Sequence, residues 1–271
     1  MTNLMVLAMF FWGSAWSALK ILTYELPMDV VVFWRFFFMT LAFIPVLIYF
    51  KKPLILNKDS LKYILSSSAF SVAFMFSSFY GIKYGLAGAG SVVITTFSPI
   101  MTFLLVAVLF KNKIGKRQYF GLLLGLVGGY ILLRLDNMSL FLDSANLYFL
   151  LCATLWAGVT ILSQHSQKYI HPIHYSFFIS VVSTIFMFFY SFDSDIMVVF
   201  DQGVKFWSAM IYLAVFGQTI ATTIFFVASG KLGSEKTSSY MFLVPVFALF
   251  SASVLLDEPM QIHVIIGGII S

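Results

Sequence analysis

Polar and aromatic side chains recur at helical spacing inside the long apolar runs of this 271-residue chain. Within a membrane a polar side chain is costly unless it faces a cavity or a neighbouring helix, so these positions indicate a binding site. An aromatic-walled cavity with neutral hydrogen-bonding groups suits a small amphipathic solute. The residues predicted to line it are Trp12, Ser14, Trp16, Arg35, Tyr80, Thr95, Trp156, Thr160, Gln218, Thr222 and Tyr240.

A purely structural role is the alternative for most of these residues. Ser and Thr hydroxyls bond carbonyls of their own helix, and Trp and Tyr form belts at the membrane interface. Gln218 favours the cavity more strongly, because its amide needs partners beyond its own helix. Arg35 either attracts an anionic group such as a substrate carboxylate, or is a structural arginine that extends toward the interface or pairs with Glu25 or Asp29.

Two prolines fall inside predicted helices at matching positions, Pro99 and Pro245. A proline removes the hydrogen bond to the carbonyl four residues earlier and so exposes that carbonyl at membrane depth. The pair is interpreted either as two hinges near the site or as static kinks tolerated by packing.

Groups for other chemistry are missing from the spans. No Asp, Glu or His falls in the middle of a span, where proton-coupled carriers commonly hold a relay group. If the chain moves a solute, that movement is either facilitative or coupled to protons through edge groups such as Glu25, Asp29 or His263. The chain lacks G-x-S-x-G, H-E-x-x-H and G-x-x-x-x-G-K-[ST] motifs, which argues against an enzyme and against ATP-driven transport. The His171-xx-His174 spacing does not suit one helical face, so neither a metal nor a cofactor is expected.

The composition places the chain in a membrane. Hydrophobic residues make up 61% and charged residues 10%, against about 25% charged in soluble domains. A soluble core, a nucleic-acid binder and a disordered tail are thereby excluded, and with Cys152 alone no intramolecular disulfide can form. The first apolar stretch lacks a basic n-region and is interpreted as a retained span, not a cleaved signal peptide.

Charges, prolines and glycines divide the chain into ten predicted spans, each needing about 20 apolar residues. The last is short, which predicts a tenth helix that is either truncated or completed by residues that follow it. The spans cover residues 3–20, 29–50, 61–82, 87–110, 118–134, 145–164, 173–192, 205–229, 236–256 and 261–271.

Basic residues predict the orientation. With the N-terminus in the cytoplasm, eleven lie inside, four lie outside and Arg35 lies within a span, as the positive-inside rule expects. An even number of spans returns the C-terminus to the cytoplasm. The eleven are Lys51, Lys52, Lys58, Lys62, Lys111, Lys113, Lys116, Arg117, Lys168, Lys231 and Lys236, and the four are Lys20, Lys83, Arg134 and Lys205.

An internal repeat is predicted from self-similarity. A shift of 146 residues places Pro99 on Pro245, and a shift of 144 places Trp12 beside Trp156. Because each half holds five spans, an odd number, the second half enters the membrane the opposite way up. Inverted repeats are a common plan of transporters, with the site near the midplane between the halves.

The chain resembles the EamA-type members of the drug/metabolite transporter superfamily over essentially its whole length. The resemblance rests on Trp12-Gly13-Ser14, on Arg35, on the block from Ala87 through Ser98-Pro99 to Leu109, and on Val244-Pro245 to Leu256-Asp257-Glu258-Pro259 followed by Gly267-Gly268. It implies a ten-helix inner-membrane carrier of two inverted five-helix halves, which often exports amino acids or other small metabolites. Asn112, where the first repeat of the family usually has Glu, is a departure.

The predicted fold is therefore an all-α integral membrane protein with ten transmembrane helices in two inverted halves, residues 1–136 and 144–271. We expect it in a bacterial inner membrane, exporting a small metabolite such as an amino acid by alternating access. A non-transporting subunit or receptor is the main alternative, while a membrane-embedded enzyme or a channel has less support. Expected partners are the substrate and the lipid bilayer, with no nucleic acid.

Close packing of the fifth helix is predicted from Gly121, Gly125 and Gly129. Small residues at this spacing let two helices approach closely. The contact is either internal or a homodimer interface.

Overall fold

A computed structural model of the chain describes residues 1–51, 56–84, 87–110, 116–133, 144–256 and 266; the side chains of 23–25, 87–89, 110, 116–118, 122, 126, 129, 132, 133, 144 and 256 lie outside that description. Seven regular helices come first. They are α1 (Thr2–Glu25), α2 (Met28–Phe50), α3 (Lys58–Tyr84), α4 (Ala87–Phe110), α5 (Lys116–Leu133), α6 (Ser144–Ser166) and α7 (Pro172–Tyr190).

The last two long helices are irregular. After a 3-10 turn at Ile196–Asp201, α8 (Val204–Leu232) contains the wide π-helical turns Leu213–Ala221 between two α-helical parts. The final helix, α9, consists of Ser234–Ser239, the 3-10 turn Tyr240–Leu243 and Val244–Leu256.

Proline, glycine and capping side chains set the helix ends. Pro27 precedes α2, and Pro172 occupies the first turn of α7, where a missing N–H costs nothing. Gly233 separates α8 from α9 with φ of +89°, a backbone conformation that glycine adopts without strain. At the start of α3, Asn57 and Ser60 exchange side-chain and backbone hydrogen bonds of 2.9 and 2.7 Å.

The prediction of an all-α membrane protein is confirmed. Every described element is helical, and eight helices in the described ranges, α1 to α4 and α6 to α9, are long and apolar enough to cross a membrane. The predicted fifth span corresponds to α5, which is not among these eight. Apart from residue 266, the predicted tenth span lies outside the described residues, so ten spans in two inverted halves stay a prediction.

Helices of the two predicted halves pack mainly against each other. The most extensive contacts join α3 and α4 to α6, α1 to α8 and α9, and α2 to α7. Each helix of the first predicted half has a counterpart in the second: α6 for α1, α7 for α2, α8 for α3 and α9 for α4. When every helix is replaced by its counterpart, the same set of contacting pairs results. The bundle is thus interleaved, and residues far apart in sequence meet at its centre.

Candidate functional site

A central cavity of about 80 Å³ lies where α1, α2, α3, α4, α6, α8 and α9 converge. A cavity needs roughly 10–15 Å³ to hold one water, so there is room for several waters or for a small solute. Its lining residues are Trp12, Ala15, Trp16, Leu19, Arg35, Phe74, Met75, Ser78, Ile94, Thr95, Trp156, Leu213, Gly217, Gln218, Thr222, Met241 and Val244.

Aromatic rings form one wall of this cavity. The rings of Trp12 and Trp156, which the predicted repeat aligns, meet edge to face with centroids 5.2 Å apart. The lining residue Phe74 lies 5.4 Å from Trp156, and Phe225, outside the lining, supports Trp12 at 4.8 Å. Edge-to-face pairs stabilise beyond simple burial, so the two equivalent tryptophans give the wall a fixed shape.

The wide turns of α8 bring polar groups to the same space. The Gly217 carbonyl accepts hydrogen bonds from Trp12 Nε1 at 2.9 Å and from Thr222 Oγ1 at 3.3 Å. On another face of α8, Thr219 Oγ1 likewise donates to the carbonyl five residues earlier, that of Ala214, at 2.9 Å. Such π-helical segments are rare and occur frequently at functional sites. The sequence predicted a regular helix here, with Gln218 and Thr222 on one face; both line the cavity, but the helix that carries them is wider.

Arg35 is the charged group of the cavity. It lies seven residues beyond Met28, about 10 Å into α2, and its side chain is 8% exposed. Its Nε and Nη1 are buried and make no hydrogen bond. The lining holds no carboxylate, and in the described part of the chain no Asp or Glu pairs with Arg35. A buried unpaired charge is strongly unfavourable, so the geometry suits an anionic ligand.

Pro99 and Pro245 each disrupt backbone hydrogen bonding at a residue that lines the same cavity. Pro99 lies within α4, and Pro245 follows the 3-10 turn as the second residue of Val244–Leu256. Because proline has no N–H, the carbonyl four residues before it loses its α-helical donor. That carbonyl belongs to Thr95 for Pro99 and to Met241 for Pro245. Both residues line the cavity. Pro245 therefore ends an irregular segment, whereas Pro99 interrupts a continuous helix.

Seven of the eleven predicted site residues line the central cavity: Trp12, Trp16, Arg35, Thr95, Trp156, Gln218 and Thr222. The other four lie elsewhere. Ser14 bonds the Tyr212 hydroxyl and the Phe10 carbonyl, and Thr160 Oγ1 donates to the Trp156 carbonyl at 2.8 Å.

Tyrosines 80 and 240 also face away from the cavity. Tyr80 is 38% exposed and stacks on Tyr148, and Tyr240 lies beside Thr2 with their hydroxyls 3.3 Å apart. Ser14 was predicted as part of the Trp-Gly-Ser motif and the other three from their position in polar stripes. Neither signal says which neighbour a helix face meets.

Sequence reasoning missed most of the apolar lining and one polar residue. Leu19, Phe74, Met75, Ile94 and Met241 belong to runs of similar residues, so composition carries no signal for them. The missed polar residue is Ser78, on α3.

A second cavity, of about 640 Å³, lies on another face of α8. Thr219 and Thr223 line it, together with the start of α1, the end of α2 and the start of α7. The pair Gln218 and Thr222 and the pair Thr219 and Thr223, each four residues apart on α8, thus face different spaces.

The glycine stripe of α5 is divided. A Cβ on Gly125 would lie 3.3 Å from Phe242 and 3.6 Å from Ile100, so this position faces the bundle. A Cβ on Gly121 would meet nothing within 4 Å. The surroundings of Gly129 lie outside the described residues, and the homodimer stays a prediction.

Comparison with known proteins gives a consistent result. A model of the EamA-like transporter family matches the chain twice, at residues 3–134 and 143–271. YoaV, an uncharacterized transporter of Bacillus subtilis, is 23% identical over 265 residues, covering 96% of this chain and 89% of YoaV. An uncharacterized transporter of Archaeoglobus fulgidus is 25% identical, covering 99% of this chain and 93% of its own length.

A plant protein and a solved structure are similar as well. A chloroplastic WAT1-related protein of Arabidopsis thaliana is 27% identical over 281 residues, covering 97% of this chain and 65% of that protein. One crystal structure superposes with a TM-score of 0.76 over 99% of this chain and 93% of its own, at 15% identity, which is a likeness of fold alone.

Proposed function

The chain belongs to the EamA-like transporter family, and from that premise we propose that it is a secondary transporter that exports small metabolites, amino acids among them. The proposed location is a bacterial inner membrane, with both termini in the cytoplasm. The proposed mechanism is alternating access, in which two inverted halves rock around the central cavity.

The observation that carries this proposal is the unpaired Arg35 in a cavity built from both family-matching segments. Trp12, Arg35 and Thr95 come from residues 3–134, while Trp156 and Gln218 come from 143–271. A small solute bound there contacts both segments at once. A relative movement of the segments would therefore open the site to one side or to the other.

The packing supports a repeat-based movement. The set of most extensive helix pairs is preserved when α1 to α4 are exchanged with α6 to α9, as expected if two similar halves are related by a two-fold axis. Pro99 and Pro245, proposed as hinges, occupy helices that this exchange relates. Both positions interrupt regular backbone bonding beside the cavity.

Flux of a mixed pool of labelled amino acids into proteoliposomes tests the transport function. We expect flux of at least one member above that of protein-free liposomes. Imposing a pH gradient distinguishes the two open modes: facilitative transport is insensitive to the gradient, whereas coupling through edge groups such as Glu25 or Asp29 accelerates flux. Folded protein that moves neither amino acids nor a broad panel of other metabolites would favour a non-transporting subunit or receptor.

Two substitutions test the site. Trp156→Ala removes an aromatic wall, and Gln218→Ala removes an amide that makes no hydrogen bond within the described residues. Each should reduce flux at least tenfold while the amount of folded protein is unchanged. Gln202→Ala, at the end of the 3-10 turn and away from the cavity, is the matched control. Full transport by both site variants would refute this placement of the site.

Cysteine labelling tests the orientation. The natural Cys152 is fully buried, so it contributes little background. An impermeant maleimide should label Lys205→Cys in intact cells and Lys58→Cys only after the membrane is opened. The reverse pattern would place the N-terminus outside.

A further inference from the structure

Resting on the transport function proposed above, we infer that the central cavity is a site for a small monocarboxylate anion without a neighbouring ammonium group. Arg35 binds the carboxylate, and the zwitterion of an amino acid with the same carbon skeleton is the weaker ligand. The specificity comes from the charge of the cavity, which is positive and uncompensated.

The guanidinium of Arg35 is available to bind an anion. Two of its nitrogens are buried without partners, and it is nine-tenths buried against aromatic and aliphatic neighbours. Its planar fork of donors matches a carboxylate, and such charge-assisted pairs are roughly twice as strong as neutral hydrogen bonds. A carboxylate is therefore the group that completes the site.

A second positive charge is disfavoured in the same space. The ammonium of an α-amino acid lies one carbon from its carboxylate and so comes close to Arg35, and the surrounding low dielectric strengthens the repulsion. Among the residues that line the cavity, none is acidic. Without such a residue, an ammonium has only neutral acceptors.

Two of those neutral acceptors are already engaged, which leaves the Thr95 carbonyl, freed by Pro99, and the Gln218 amide oxygen. The Gly217 carbonyl accepts from both Trp12 and Thr222, which occupies its two lone pairs. The Met241 carbonyl accepts from the backbone N–H of Val244. The tryptophan faces offer an ammonium a cation–π attraction, which opposes its repulsion by Arg35 and does not cancel the charge.

The cavity size indicates a small ligand. At roughly 10–15 Å³ for each water-sized group, a volume of about 80 Å³ accommodates about five to eight non-hydrogen atoms. A branched aliphatic acid of five carbons is of this size, whereas an aromatic amino acid is larger.

Three probes with related skeletons test the inference: 3-methyl-2-oxobutanoate, valine and isobutylamine, which are an anion, a zwitterion and a cation. Binding is measured by titration calorimetry on the full-length protein in nanodiscs at neutral pH. We expect the oxo acid to bind at least tenfold more tightly than valine, and isobutylamine to bind most weakly. Equal or tighter binding of valine or the amine, or binding of none of the three, overturns the inference.

Variants assign the preference to Arg35. Arg35→Gln should weaken the oxo acid at least tenfold and bring the ratio between oxo acid and valine close to one, because both the attraction and the repulsion are lost. Arg35→Lys keeps the charge and should keep the order of the three probes. Lys205→Gln removes a charge from an exposed residue outside the cavity and should leave all three affinities unchanged. An unchanged ratio in folded Arg35→Gln overturns the inference, and if that variant does not fold, the order in the unmodified protein decides.

Binding and flux separate this inference from the proposed function. An anion preference without flux of any solute would contradict transport and leave the assignment of Arg35 intact. Flux of amino acids with valine bound more tightly than its oxo analogue would support transport and overturn the assignment.

Discussion

Replacing Gly13 by alanine should destabilise the bundle, because α9 leaves no room for a side chain there. An alanine Cβ would lie 2.5 Å from Phe247 Cβ, 2.8 Å from the Ala248 nitrogen and 2.9 Å from the Val244 oxygen. Ordinary contact begins at 3.4 Å, so α1 and α9 must separate by about 0.9 Å. None of the three atoms is the end of a flexible side chain, so rotation cannot relieve the contact.

The expected cost follows from overpacking, which destabilises well-packed cores by about 1–3 kcal/mol. A loss of about 2 kcal/mol corresponds to a fall of roughly 4–8 °C in the unfolding midpoint of a chain near this size. The unfolding midpoint is measured on detergent-solubilised protein that is heated to a series of temperatures. Size-exclusion chromatography then reports the loss of the monodisperse peak. Transport should fall too, since Trp12 and Trp16 move with α1.

Two further glycines provide the controls. Gly121→Ala meets nothing within 4 Å and should leave the midpoint unchanged or slightly raised, because alanine favours helix over glycine. Gly158→Ala would press on the ring of Phe70, at 2.5 Å, but that side chain is 37% exposed and can move. We expect Gly158→Ala to lower the unfolding midpoint less than Gly13→Ala does. Adding Phe70→Leu should restore the midpoint.

The reasoning fails if Gly13→Ala unfolds at the same temperature as the unmodified protein. It also fails if Gly121→Ala loses as much stability, because the effect would then not depend on the contact with α9.

Two smaller predictions concern the hydrogen bonds of α1. Trp12→Phe removes the 2.9 Å bond to the Gly217 carbonyl and should lower the unfolding free energy by about 1 kcal/mol. The control is Trp207→Phe, which should have a smaller effect because the indole N–H of Trp207 makes no hydrogen bond to any described residue. Ser17 and Ser251 join α1 to α9 through hydroxyls 2.9 Å apart, and a double-mutant cycle of their alanine variants should give a coupling of about 0.6 kcal/mol; a coupling of zero would contradict the bond.

The Trp-Gly-Ser motif of α1 illustrates what sequence and structure each contribute. The motif supports the family resemblance, and Trp12 was among the predicted site residues. The structure assigns a contact to each member: Trp12 bonds Gly217, Gly13 admits α9, and the hydroxyl of Ser14 meets Tyr212. Ser14 therefore joins α1 to α8 and does not line the cavity.

The sequence by itself determined the membrane class, the eight helices that are long and apolar enough to cross a membrane, and the family. These depend on local properties: the length of apolar runs, the prolines and glycines that end helices, and short motifs. Only the tertiary structure decided which polar faces share a cavity. Helical spacing fixes the direction of a side chain on its own helix, whereas the neighbour it meets depends on packing between distant segments. Trp12 beside Trp156, the wide turns of α8 and the unpaired Arg35 all arise from that packing.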